Sequence, residues 1–274
     1  MNSIAEMFNI IPRVVLCSKK DNTIALFPFY EKKTLVFKKA YNPTLVYYNP
    51  IFFNLPEKKL SNHTTLMQYE ITKQIGAFLC ESYSRIHLNL DPSVYDIRGF
   101  KDAKLSAKPH YTFIYDLDEK AEFFIKEMTT LRIALKQDYI YKVSFEPNSA
   151  LELIYKMYDR KSHPFPIKRE SLHKLLVKLN EQGIVEQHNI IRDSKIVSSC
   201  LVLTGHAGTA YGWLMASEPE DMKQGAVLLL FWNMFNELSQ RFRAFDLCGA
   251  NSKGPSRFKA ALGAELKLFF QIEK

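Results

Sequence analysis

The chain has 274 residues, enough for one large domain or two small ones, and 47% apolar with 24% charged residues marks a folded protein rather than a disordered one. Its net charge of +8 favours acidic partners such as phosphate-bearing donors, nucleic acid or anionic membrane faces, although the clusters Lys32-Lys33, Lys38-Lys39 and Lys58-Lys59 also read as plain solvated surface. No apolar run reaches the roughly eighteen residues of a membrane span, the first residues hold Glu6 and no long apolar run, and Cys17, Cys80, Cys200 and Cys248 lack metal or redox spacing, so a cytoplasmic protein without a signal peptide and with buried, reduced thiols is expected.

In chain order, the first eleven residues suggest a partial helix. Short strands are expected over Val14–Cys17, Thr23–Tyr30, Thr34–Lys39 and Leu45–Tyr48, separated by polar turns, before an aromatic loop from Tyr47 to Phe53. Asn62–Cys80 carries Leu66, Tyr69, Ile75, Phe78 and Leu79 at helical spacing. A strand follows over Ser84–Leu90, then a polar connection to Lys108, a strand over Tyr111–Leu117, a helix from Asp118 to about Lys136 and a strand over Tyr139–Phe145. The break at Glu146-Pro147-Asn148 sets the expected domain boundary, giving halves 1–146 and 147–274.

Beyond the boundary, Leu151–Arg160 and Glu170–Gln182 read as helices, and Val185–Arg192, Ile196–Thr204 and Thr209–Ala216 as a three-stranded meander. The next helix carries Leu228, Phe231, Phe235, Leu238 and Phe242, and its start is apolar throughout from Ala226 to Trp232, so it must be buried. Ala244–Leu247 is a strand that leads into a glycine-bearing loop. Gly254-Pro255 then suits a helix start and Gly263 a left-handed helix stop. Within that helix Ser256 and Lys259 share one face, expected to aim outward, while Phe258 and Leu262 share the packing face.

The run Asp246-Leu247-Cys248-Gly249-Ala250, then Phe258-Lys259 and Leu262-Gly263-Ala264-Glu265, resembles the terminal signature of the Fem-type and related GNAT-like acyltransferases. Leucine stands here where that pattern has an aromatic residue before the glycine. A second likeness is Leu131-Arg132-Ile133-Ala134-Leu135-Lys136, which keeps Arg132, Ala134 and Lys136 of a basic helix motif but has Ile133 for its second basic residue. The resemblance implies a mixed α/β chain of two GNAT-like subdomains, each a largely antiparallel sheet flanked by helices. It also implies N-acyl transfer from acetyl-CoA or another acyl-CoA, without a metal, to a small-molecule or cell-wall-precursor amine. An aminoacyl-tRNA donor is the alternative.

The same resemblance implies a donor site where the strand before the buried helix splays from its neighbour. The helix start offers free N–H groups and a positive dipole end to a diphosphate, so Gln224, Gly225 and Ala226 are the expected donor contacts, with Ser252, Arg257 and Arg132 in support. Catalytic roles are implied for Lys259, as oxyanion or phosphate partner, for Phe258 as a pocket wall and for Asp246. Tyr211 and Trp213 lie on strand positions that reach the same cleft, and His163 is the histidine to watch. Only Gln224 and Gly225 remain of a full Gln-x-x-Gly-x-Gly/Ala loop, so a binding module that keeps the fold without the chemistry stays open as an alternative.

Overall fold

In the computed structural model, which describes residues 1–55, 61–119, 122–162, 164–205, 208–250 and 253–274, the chain divides into two units. One is Met1–Tyr111 with Lys267–Lys274; the other is Thr112–Leu266. Lys58, Lys59, His163 and Ser252 lie outside the described residues.

The first unit contains α1 (Asn2–Phe8), β1 (Ile11–Lys19), β2 (Asn22–Lys33), β3 (Lys38–Tyr41), β4 (Phe52–Phe53), α2 (Ser61–Ser82), β5 (Arg85–Asn89) and α3 (Arg98–Asp102). Its strands run in the order β1-β2-β3-β5, with β4 on β2, and the chain's C-terminal residues return to pair with β5, Gln271 opposite Asn89. Ile71, Ile75 and Leu79 recur every fourth residue along α2 and are buried with Phe27, Phe29 and Leu88, so the helical periodicity becomes the core.

Two of the expected strands are corrected. Thr34–Phe37 is the β2–β3 turn, because Thr34 Oγ1 accepts the N–H of Phe37 at 3.1 Å while Thr34 N–H donates to the Phe37 carbonyl at 2.9 Å. Leu45–Tyr48 is not a strand: Leu45 takes a left-handed φ of 78°.

The remaining elements are β6 (Ser106–Asp116), α4 (Ile125–Ala134), β7 (Ile140–Val143), α5 (Pro147–Arg160), α6 (Arg169–Glu181), β8 (Val185–Arg192), β9 (Lys195–Thr204), β10 (Thr209–Ser217), α7 (Pro219–Lys223), α8 (Ala226–Leu238), β11 (Ala244–Asp246), α9 (Lys253–Ala261) and β12 (Glu265–Glu273). The strands of the second unit run β6-β11-β10-β9-β8-β7; β10 and β11 are parallel and the other pairs antiparallel. Helix α8 is buried nearly all round, as its composition requires. Its Phe235 stacks on Tyr115 at 4.0 Å and meets Phe245 at 5.3 Å, fixing the helix to β6 and β11. Helix α4 starts at Ile125 rather than Asp118, since Asp116 Oδ1 accepts the N–H of Asp118 at 2.9 Å and holds a turn there.

The two units divide between Tyr111 and Thr112, whereas the sequence places its boundary at Glu146/Pro147. Residues 112–146 join the second unit because β6 pairs with β11, β7 pairs with β8, and Leu131 and Ala134 of α4 are buried in the α8 core. Pro147 opens α5, a position where its missing N–H costs nothing.

Candidate functional site

β10 and β11 run together for three residues only, Thr209 to Tyr211 against Ala244 to Asp246. Past Tyr211, β10 continues along β9 while the chain after Asp246 turns into a loop, so a gap opens between them. At that point β10 carries a bulge: Gly212 pairs with Val202 and Leu214 with Leu201, leaving Trp213 as the extra residue. A side chain at Gly212 would press its Cβ to 3.0 Å from the Phe245 ring, so glycine lets the core aromatic reach the bulge. Trp213 is buried, and Tyr211 is half-buried.

The opposite wall of the gap is the loop Leu247–Ala250, and its shape follows from four side chains. Asp246 Oδ1 accepts the Cys248 N–H at 2.7 Å and the Thr112 hydroxyl at 2.6 Å, while Thr112 Oγ1 accepts the Gly249 N–H at 3.1 Å. Cys248 and Gly249 both adopt left-handed φ, 54° and 84°. Their carbonyls and that of Leu247 converge on the Lys259 ammonium at 2.9, 2.5 and 2.6 Å. Ser256 Oγ donates to the Ala250 carbonyl at 2.7 Å.

The outward aim expected for Ser256 and Lys259 is therefore corrected: both turn back onto the loop, because three ammonium protons match three carbonyls that helix and strand cannot satisfy. Burial pushes the Lys259 pKa down, and burial followed by the nearby Asp246 carboxylate pushes the Cys248 thiol well up. Asp246 is itself buried. Phe258 packs 5.8 Å from Phe231 within the core. Arg257 is exposed.

The start of α8 is a different environment from the one expected. Gly225 takes φ 89° as the residue before the helix, and a Cβ there would stand 2.9 Å from the Thr130 carbonyl and 3.1 Å from Ala134 Cβ. Helix α4 thus covers this end, and Gly225, Ala226, Val227 and Leu228 are all buried. Gln224 Oε1 accepts from Arg192 Nη1 at 3.3 Å and lies 3.4 Å from the Tyr139 hydroxyl. Behind it, buried Asp221 pairs with Arg192 at 2.8 Å and accepts the Tyr139 hydroxyl at 2.8 Å; burial, and then this hydrogen bond, raise the Tyr139 pKa to about 12. A protein carboxylate and a helix carbonyl occupy the surroundings where an incoming diphosphate would be expected.

Arg132 is exposed on α4 and lines a cleft of about 450 Å³ with Glu122, Phe123, Trp232 and Asn236. The structure thus brings Asp246, Phe258 and Lys259 together, and Gln224, Gly225 and Ala226 together, with Arg132 on the helix that covers the second group. Sequence reasoning missed the bulge, although an isolated glycine inside the β10 pattern was its signal. Thr112, Thr130 and the Tyr139–Arg192–Asp221 cluster gave no local signal, being remote in sequence from what they touch. Among the described residues no group of three or more His, Cys, Asp or Glu side chains is placed to hold a metal. Cys17 and Cys200 are buried as expected, while Cys80 and Cys248 are half-buried; all four are free thiols.

Residues 138–260 match the family described as the Acetyltransferase (GNAT) domain. The chain is similar in structure to a protein solved as FemX, with TM-score 0.68 and 13% identity over 98% of this chain and 90% of that one. It is similar also to the C-terminal domain of a lysylphosphatidylglycerol synthetase described as putative, from Agrobacterium fabrum, with TM-score 0.61 and 13% identity over 99% and 85% of the two chains. A tandem GNAT protein from the clavulanic acid biosynthesis pathway gives TM-score 0.51 and 9% identity over 96% and 83%. No curated protein matches the sequence.

Proposed function

From a match to the GNAT domain over residues 138–260 and a fold similar to FemX, we propose that the chain is an acyltransferase that transfers an acyl group to an amine where β10 and β11 part. The observation that carries this reading is the bulge at Trp213 on β10, just where the two parallel strands part. In the reaction the unprotonated amine attacks the acyl carbonyl, the C–N bond forms and the ester or thioester bond to the donor breaks. The amine's proton passes to water or the departing group. The negative charge that develops on the carbonyl oxygen needs hydrogen-bond donors already in place, a role this reading gives to the β10 backbone at its bulge.

Lys259 enters this reading as a positioning residue, since its three protons go to the carbonyls of Leu247, Cys248 and Gly249. Asp246 and Thr112 act likewise, by fixing the loop that forms the far wall. The covered start of α8 supports a donor that places no diphosphate at Gln224–Ala226, and an aminoacyl ester such as the end of an aminoacyl-tRNA fits that better than acyl-CoA. A cell-wall-precursor amine is the acceptor class that goes with it. The test is transfer of labelled acyl groups from acetyl-CoA and from aminoacyl-tRNA to a panel of amines, including a peptidoglycan precursor peptide. Transfer from the aminoacyl ester alone supports the whole reading; transfer from acetyl-CoA alone retains the chemistry and removes the donor assignment; no transfer from either, in folded protein, removes both.

A further inference from the structure

The β2–β3 hairpin carries an unusual combination at its tip. Leu35 and Val36 are 106% and 90% exposed, so none of the described residues covers them. They are not on a slack loop: Thr34 Oγ1 accepts the N–H groups of Val36 at 3.4 Å and Phe37 at 3.1 Å and donates to the Phe37 carbonyl at 3.1 Å. The turn therefore presents two apolar side chains from a fixed backbone.

Directly behind the tip, the strand register sets lysine against lysine twice: Lys32 opposite Lys39 and Lys33 opposite Lys38. Like charges facing each other across a ladder destabilise the pair; Lys38 lies 5.4 Å over the Tyr83 ring and Lys39 4.8 Å over the Tyr41 ring, which leaves the positive charge in place. Arg85 joins them from β5, its guanidinium 4.7 Å over the Phe37 ring. The acidic groups nearby do not cancel the patch. Buried Glu31 already accepts from Arg13 Nε and Nη2, each at 3.2 Å, and from the Tyr83 hydroxyl at 2.8 Å, with Lys38 3.8 Å away, and Glu81 and Lys274 both line the cavity under the turn.

From this we infer that the β2–β3 hairpin docks on an anionic lipid surface, with Leu35 and Val36 entering the headgroup–acyl boundary and Lys32, Lys33, Lys38, Lys39 and Arg85 meeting the phosphates. Charge complementarity selects the partner, and the exposed apolar tip selects a lipid layer over a soluble polyanion, which offers nothing apolar to receive it. Each cation near such a surface strengthens binding about fivefold, so the patch and tip together are sufficient for reversible attachment. The inference concerns the first unit alone and does not depend on the identity of the acyl donor.

The experiment is co-sedimentation of the full chain with vesicles of phosphatidylglycerol and phosphatidylcholine in equal parts, and with phosphatidylcholine alone. Binding is expected only to the anionic vesicles. Leu35→Ser with Val36→Ser should weaken it at least about tenfold, since the tip's apolar area no longer leaves water. Lys32→Ala with Lys33→Ala and Lys39→Ala should weaken it about a hundredfold. As a check independent of those variants, Leu35→Trp should shift its emission to the blue on the anionic vesicles. The inference is overturned if wild-type protein ignores anionic vesicles, or if the tip variant binds them as well as wild type. A Leu35→Trp emission that does not move would overturn it too.

Discussion

Lys259→Met keeps the length of the side chain and removes its three hydrogen bonds, leaving the carbonyls of Leu247, Cys248 and Gly249 without their shared partner. Hydrogen bonds to a charged group contribute a net of about 1.5–3 kcal/mol each, and since burying the ammonium costs much of that sum, the expected net loss of stability is about 2–3 kcal/mol. A lysine on an open helix face would cost less than about half a kcal/mol. Urea melts of the two proteins separate these outcomes. Thr112→Val should act on the same loop from the other side, because it deprives buried Asp246 of the hydroxyl at 2.6 Å and Gly249 of its acceptor. About 1–3 kcal/mol is expected, together with a fall in turnover that Thr112→Ser largely restores. At this scale the sequence was half legible. The Asp246 and Lys259 positions could be singled out from their pattern, but the direction of Lys259 could not, since it depends on two left-handed residues that bring three carbonyls to one point.

Among the elements, α8 was the most readable, because a helix whose start is apolar throughout from Ala226 to Phe231 has no option but burial. What packs against its start is not held in its own sequence: the neighbour at Gly225 is Thr130 of α4. Gly225→Ala meets both a left-handed backbone and a carbonyl 2.9 Å from the new Cβ, so a loss of about 2–4 kcal/mol is expected in thermal or chemical melts. Gly225→Asp would suffer the same strain and reports on folding rather than on a diphosphate. A second element-level device joins β8 to the end of α8. Glu186 meets Arg241 at 2.6 and 2.7 Å, and this guanidinium, with His188 next, lowers the Glu186 pKa from 4.5 to about 2. A depressed carboxylate contributes its stability in full above the unfolded value and loses it as pH falls through the folded one. The contribution, on the order of 2 kcal/mol for a side chain still partly wet, should therefore disappear between pH 4.5 and about 2. Glu186→Gln should flatten that part of the stability-versus-pH curve; an unchanged curve would show that the pair does not act this way.

For the molecule as a whole, the order of elements after Pro147 was legible from periodicity, and so was the mixed α/β class. The unit boundary was not, because strand partners are set by pairings that skip far along the chain: β6 reaches β11 more than a hundred residues on. A fragment of residues 147–274 lacks β6, β7 and α4 and is expected to expose the β11 edge and the α8 surface that Leu131 and Ala134 cover. It should bind hydrophobic dyes and melt without cooperativity, whereas residues 112–274 should recover a cooperative transition; equal behaviour of the two fragments would argue against the division at Thr112.

The central claim is that the acyl carbonyl is received at the β10 bulge and not at the start of α8. Amide chemical shifts of isotopically labelled protein, recorded while a non-reactive analogue of the aminoacyl ester is added, test it directly. The account predicts saturable shifts at Gly212, Trp213 and Leu214 and at Cys248 and Gly249, with Ala226, Val227 and Leu228 unmoved. Shifts confined to Ala226, Val227 and Leu228 would contradict it.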